Sequence, residues 1–118
     1  MPRVLLVEDD AEVRLLVEHI LLAADYEVDS VETQDAGLKS LNRWRYDLVI
    51  ADGRLSDGTG MELADGAREQ GIPTLIMTGY AFVLAASGID LTQYDILLKP
   101  IGPDELLASV AKALGSSN

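Results

Sequence analysis

Four apolar runs in this chain each stop at a residue able to do chemistry. Val4–Val7 runs into Glu8, Asp9 and Asp10, and Leu48–Ala51 runs into Asp52. Thr74–Met77 ends at Thr78 and Gly79, and Ile96–Leu98 ends at Lys99 and Pro100. Continuous apolar runs of this length fit parallel strands buried on both faces. In open α/β sheets, ligands meet the protein at the carboxyl ends of such strands. Asp52 therefore stands where a nucleophile or a metal ligand would stand, although a turn aspartate after a strand looks the same in isolation. If the four strands lie parallel, one sheet edge gathers three or four carboxylates, a hydroxyl and an ammonium.

The elements that must position these groups alternate five times between strand and helix, with no repeat and no low-complexity linker. The first strand is expected near Arg3–Val7 and the first helix from Ala11 to Ala23, where Val13, Leu16, Val17, Ile20 and Leu21 recur at helical spacing and predict a face toward the sheet. Asp10 reads as the cap of that helix. A short second strand near Glu27–Val31 is followed by a helix from Asp35 to Arg43 that offers Ala36, Leu38 and Leu41 to the core. The third strand is Leu48–Asp52. After it comes loop chemistry (Gly53, Ser56, Asp57, Gly58), then a helix from Gly60 that Gly71 and Pro73 terminate. The fourth strand is Thr74–Thr78. Tyr80–Ser87 reads as a short helix, with one further turn around Leu91–Tyr94. The fifth strand is Ile96–Lys99, and the fifth helix starts at Pro103, where a missing N–H costs nothing, and runs to Leu114. Gly115–Asn118 reads as a frayed tail, so one domain over 1–118 with no output domain is expected. Right-handed crossovers between parallel strands cover both sheet faces; five such units fit a doubly wound sheet or part of a barrel.

Composition narrows the function. A chain of 118 residues is of ordinary single-domain size, and 48% hydrophobic residues with few aromatics predict an aliphatic core. The formal charge of −11 argues against a nucleic-acid face or an anionic membrane surface. With no cysteine there are neither disulfides nor thiolate metal sites. The apolar start of the chain is too short for a signal peptide or a membrane span, so a cytoplasmic location is expected. Trp44, Tyr46 and Met61 read as packing residues. His19, the one histidine, reads as an exposed helix residue, because no partner set surrounds it at helical spacing.

The ordered set of an acidic pair, Asp52, Thr78 and Lys99-Pro100, each closing a strand-like run, resembles the receiver domain of two-component response regulators over essentially the whole chain. The resemblance implies an α/β fold: a doubly wound, five-stranded parallel sheet, flavodoxin-like, in the order 2-1-3-4-5. It implies that Asp52 is the phosphoacceptor, that Thr78 donates its hydroxyl to a phosphoryl oxygen, and that Lys99 pairs with the phosphoryl group. It places Mg²⁺ on Glu8, Asp9, Asp52 and the backbone carbonyl of Arg54, a hard oxygen set of the kind that ion favours. The peptide before Pro100 is expected to be cis. The implied role is a phosphorylation-dependent switch rather than an enzyme on other substrates. A histidine kinase or histidine phosphotransfer protein would be the donor. A downstream protein would be met through the face of the fourth helix, fifth strand and fifth helix, and a homodimer is compatible with this. On that face Phe82 or Val83 is expected to be partly exposed.

The competing readings are weaker. A phosphatase of the haloacid dehalogenase type usually places a second acid two residues after its nucleophile, where this chain has Arg54. A flavin site lacks a glycine-rich loop after the first strand. A module that has lost phosphorylation would not be expected to keep Asp9, Asp52, Thr78 and Lys99 together. Two departures from the receiver pattern stand out. Ile96 occupies the position three before the lysine that is often aromatic, and Ser56 stands where proline is common. Arg54 and Tyr80 flank the expected path of a hydrolytic water, which predicts a long-lived aspartyl phosphate.

Overall fold

Leu48, Val49, Ile50 and Ala51 are all fully buried, and a strand apolar at every position belongs in the middle of a sheet covered on both faces. The computed structural model describes residues 1–79 and 81–115; Tyr80, Ser116–Asn118 and the side chain of Phe82 lie outside the described residues, and with them the expectations placed there. In chain order the elements are β1 (Arg3–Val7), α1 (Ala11–Ala23), β2 (Glu27–Val31), α2 (Gln34–Arg43), β3 (Leu48–Asp52), β4 (Arg54–Leu55), β5 (Gly58–Thr59) and α3 (Gly60–Glu69). They continue with β6 (Thr74–Thr78), α4 (Ala81–Ala86), a 3-10 turn (Leu91–Gln93), β7 (Asp95–Leu98) and α5 (Pro103–Ala113).

The five long strands form one parallel sheet in the order β2-β1-β3-β6-β7, which is the expected 2-1-3-4-5 once the two-residue arms β4 and β5 are set aside. The order puts β3 at the centre. Strand side chains alternate between two cores. Val4, Leu6, Leu48, Ile50 and Met77 pack against Val17 and Leu21 of α1 and Leu106 and Val110 of α5. Leu5, Val7, Val49, Ala51 and Ile76 face Leu41 of α2, Leu63, Ala64 and Ala67 of α3, and Leu84 of α4. Among the described residues no helix is long and apolar enough to cross a membrane.

Helix α1 has its N-cap where expected: Asp10 accepts hydrogen bonds from the N–H groups of Glu12 (2.9 Å) and Val13 (3.3 Å). Leu16 corrects the expected inner face of that helix. It is 51% exposed, as are Leu15 and Leu22 to similar degrees, because α1 carries more leucine than one sheet-facing stripe can bury. Trp44 is likewise a surface residue, half exposed, with the guanidinium groups of Arg3 and Arg43 over its ring at 5.4 and 5.5 Å. Tyr46 is core, and its hydroxyl donates to Asp29 at 2.7 Å. Met61 is core, and His19 is exposed. The fifth strand covers Asp95–Leu98, so Lys99 lies just past its end, and α2 begins one residue earlier than expected, at Gln34.

The stretch after Asp52 is more ordered than its loop-like composition suggests. β4 and β5 form a two-rung antiparallel hairpin, with Arg54 opposite Thr59 and Leu55 opposite Gly58. At its tip the Asp57 carboxylate accepts from the N–H groups of Gln34 (2.8 Å) and Asp35 (3.0 Å), tying the hairpin to the start of α2. Both bonds favour the ionised form and lower the Asp57 pKa. The hairpin feeds directly into α3 through Gly60, whose N–H donates to the Gly53 carbonyl at 3.3 Å. A Cβ at residue 60 would overlap the Asp52 carbonyl oxygen and lie 3.2 Å from the Ala51 Cβ. Glycine here lets α3 start against the end of the central strand. Gly60→Ala should therefore destabilise the protein by about 1–3 kcal/mol in urea unfolding. In Gly66→Ala, within α3, the added Cβ meets only Leu38 at 3.7 Å, and this variant should gain about 0.4–1 kcal/mol.

Candidate functional site

Strand register assembles the site. Val7 pairs with Ala51, Asp52 with Met77, and Thr78 with Leu98, so the residues at the ends of β1, β3, β6 and β7 reach one edge together. The ladder continues past the strands: the Glu8 N–H donates to Val31 (3.1 Å), Gly53 to Met77 (2.8 Å) and Lys99 to Thr78 (2.9 Å). Backbone hydrogen bonds thus fix the Cα positions of Glu8, Gly53 and Lys99. The Lys99–Pro100 peptide is cis, as the resemblance implied.

At the centre, the Lys99 ammonium lies 3.1 Å from Glu8 Oε2 and 3.2 Å from Asp52 Oδ2. Asp52 Oδ1 accepts from the Arg54 N–H at 3.3 Å, so both oxygens of the carboxylate are engaged. Glu8 has no exposed surface, Asp52 is 8% exposed, and Asp9 is exposed beside them. Glu8, Asp9 and Asp52 each offer one oxygen within 4.8 Å of the others. Thr78 is fully buried beside Gly53, and the Arg54 side chain is exposed at the rim. The structure thus brings together Glu8, Asp9, Asp52 and Lys99 and puts Thr78 and Arg54 next to them; Tyr80 is outside the described residues.

One contributor was not legible in the sequence. Arg14 donates from Nη1 to the Glu8 carbonyl at 2.9 Å and pairs through Nη2 with Glu32 at 3.2 Å, pinning the acidic loop to the segment after β2. Only the pairing of β1 with β2 brings Glu32 within its reach, so no local sequence signal marks it.

Burial raises the Glu8 pKa, and the charge of Asp52 raises it further, to about 7, against the opposing pull of Lys99 and of the Asp10 N–H. For Lys99, burial works to lower the pKa, but the charges of Asp52 and Glu8 and their hydrogen bonds outweigh it and raise the ammonium above its ordinary value. With Glu8 ionised, three carboxylates and one ammonium leave two negative charges, and the donors are all hard oxygens. That composition fits a divalent cation of the Mg²⁺ type.

A parallel five-stranded sheet with this cluster at its carboxyl edge has the flavodoxin-like architecture of receiver domains. Residues 4–111 match the response regulator receiver domain, and the chain belongs to that family. It is 33% identical over 115 residues to the transcriptional regulatory protein DltR of Streptococcus agalactiae, covering 92% of this chain but 50% of DltR, so it spans about half the length of that relative. Its structure is similar to the receiver domain of the sensor histidine kinase PA1611 from Pseudomonas aeruginosa, solved with magnesium in the active-site cleft (TM-score 0.85, 26% identity, 98% of each chain). It is also similar to the response regulator TrrA of Thermotoga maritima in complex with Mg²⁺ and BeF (TM-score 0.84, 28% identity, 96% of this chain and 99% of TrrA).

The raised Glu8 pKa sets a pH dependence. Between about 4.5 and 7 the folded protein holds a proton that the unfolded chain has released, so this group's contribution to stability falls as pH rises through that window. Without divalent cations, unfolding free energy should drop by about 1–3 kcal/mol from pH 4.5 to 7.5. Glu8→Gln should flatten that slope in urea titrations across the same range.

Proposed function

We propose that this chain is a phosphorylation switch in which Asp52 accepts a phosphoryl group from a phosphohistidine on a sensor kinase or a histidine phosphotransfer protein. The observation that carries the proposal is the Lys99 ammonium at 3.2 Å from Asp52 on an edge otherwise crowded with carboxylates. An aspartate nucleophile must attack an anionic donor, and positive charge fixed beside it lowers that barrier. In the transfer, an Asp52 carboxylate oxygen forms the new P–O bond while the P–N bond to the donor histidine breaks, and the imidazole leaves with the bonding pair. Lys99, held by its backbone bond to Thr78, would pair with a phosphoryl oxygen, and the Thr78 hydroxyl would donate to another.

Glu8, Asp9, Asp52 and the Arg54 carbonyl would hold Mg²⁺, which when bound supplies charge neutralisation for the incoming phosphoryl oxygens. Asp9, the most exposed of the three acids, would be a direct ligand; Glu8, already paired with Lys99, suits a contact through water. The output is a change in partner binding on the α4–β7–α5 face, where Val83 and Leu98 are 46% and 59% exposed. Exposed apolar side chains on these elements are surface that a protein partner would cover.

Incubation with acetyl phosphate and Mg²⁺ should add one phosphoryl mass to the protein, read by intact-mass spectrometry. Asp52→Asn should show no such addition, and persistence of the adduct in that variant would place the acceptor elsewhere. Millimolar Mg²⁺ should raise the melting temperature, and the rise should shrink in Asp9→Ala as a ligand and its charge are lost. Arg54, at the rim of the site, would hinder the approach of a hydrolytic water, so the adduct should decay faster in Arg54→Asn, by about tenfold to a hundredfold if water placement limits the rate.

A further inference from the structure

Gly53 directly follows Asp52 and is buried, yet its backbone does not need glycine, since its φ is not positive. What matters is the space it leaves. A Cβ at residue 53 would come within 3.0 Å of Leu84 Cδ1, 3.3 Å of Thr78 Cβ and 3.4 Å of Thr78 Oγ1. Side chains from β6 and α4 therefore flank one small volume over the bare backbone next to the candidate phosphoacceptor.

The two sides of that contact differ in stiffness. Gly53 and Thr78 are bound into the sheet by Gly53 N–H to Met77 (2.8 Å) and Lys99 N–H to Thr78 (2.9 Å). Helix α4 has six residues, too few to be stable alone. Among its described side chains only Leu84 is buried; Val83, Ala85 and Ala86 are exposed. Beyond α4 the chain is tied down again: Ile89 N–H donates to the Leu84 carbonyl (3.3 Å), Arg68 donates to the Gln93 carbonyl (2.9 Å), and Tyr94 donates to Asp65 (3.1 Å). Helix α4 is thus held at its far end and seated on the site side through Leu84. At the position three before Lys99 there is no aromatic ring to rotate; Ile96 is partly buried and packs into the core.

We infer that Leu84, seated over Gly53 beside Thr78, is the positioning residue that couples the state of the Asp52 site to the exposed face of α4. The inference rests on the reading of Asp52 as phosphoacceptor. Leu84 and Thr78 leave less than the room of a methyl group over the glycine, and a close-packed interior transmits a shift of Thr78 or of the 52–53 backbone to the side chain packed on it. Displacing Leu84 would re-aim Val83, its exposed neighbour on the same six-residue helix.

The test uses beryllofluoride with Mg²⁺ as a non-covalent phosphoryl mimic. Its binding is read independently by fluorine NMR, and the response of α4 by hydrogen exchange of the amides over 81–88. In the wild type, binding should change α4 exchange by at least threefold. Leu84→Ala should bind the mimic with no further change in α4 exchange, and Leu84→Met, similar in volume, should restore the response. In Gly53→Ala without ligand, α4 amides should exchange at least threefold faster while β3 and β6 amides stay as they are. A wild-type-like response in Leu84→Ala, or unaltered α4 exchange in Gly53→Ala, would overturn the inference. Bound mimic in the wild type with unchanged α4 exchange overturns it too and leaves the phosphoacceptor reading standing. Absence of any bound signal in the wild type overturns both.

Discussion

Placing several carboxylates at one sheet edge is an electrostatic problem that the rest of the molecule has to solve. Glu8, Asp9 and Asp52 approach within 4.8 Å, where two unit charges repel by about 3.5 kcal/mol at an effective dielectric of 20. Lys99 is the partial answer, bridging Glu8 and Asp52 at 3.1 and 3.2 Å. Burial of Glu8, and after it the part of the Asp52 repulsion that Lys99 does not offset, raise the Glu8 pKa to about 7. A surface lysine on a flexible loop could not hold this position against the loss of side-chain freedom. Lys99 holds it because its own N–H is part of the β6–β7 ladder.

The frame around that cluster is stiff where chemistry needs precision and loose where a signal would leave. The central strand is buried along its whole length, and α3 starts against it through Gly60 with no room for a methyl group. Asp57 links the hairpin after Asp52 to α2, so the loop that carries Arg54 is braced from both sides. Helix α4, in contrast, is short and has one buried anchor among its described side chains. Elements that change state tend to come from the weakly packed part of a fold.

Much of this was readable from residue order alone. The apolar runs Val4–Val7, Leu48–Ala51 and Thr74–Met77 define the three inner strands, because burial on both faces leaves no alternation to misread. The residues that end those runs, with Lys99, are the ones found together. Element ends fall within a residue or so of those the sequence implies, since Pro103, Gly71 and Pro73 mark helix limits by backbone geometry alone. Leu16 and Trp44 lie exposed against the expectation from their type, because hydrophobicity says what a side chain prefers, while the width of the helix face and the crowding of its neighbours decide what it gets.

What the sequence determined, then, is the set of strands, the chemical types at their ends and, through the receiver resemblance, the family fold; each follows from local pattern or from an ordered motif. Register and distance were decided only by tertiary structure. Arg14 reaches Glu8 and Glu32, and Asp57 caps a helix 22 residues upstream, through strand pairings and crossovers that no window of the chain encodes. The contact of Leu84 with the empty side of Gly53 is of the same kind. An absent side chain becomes informative only when the fold shows what occupies its space.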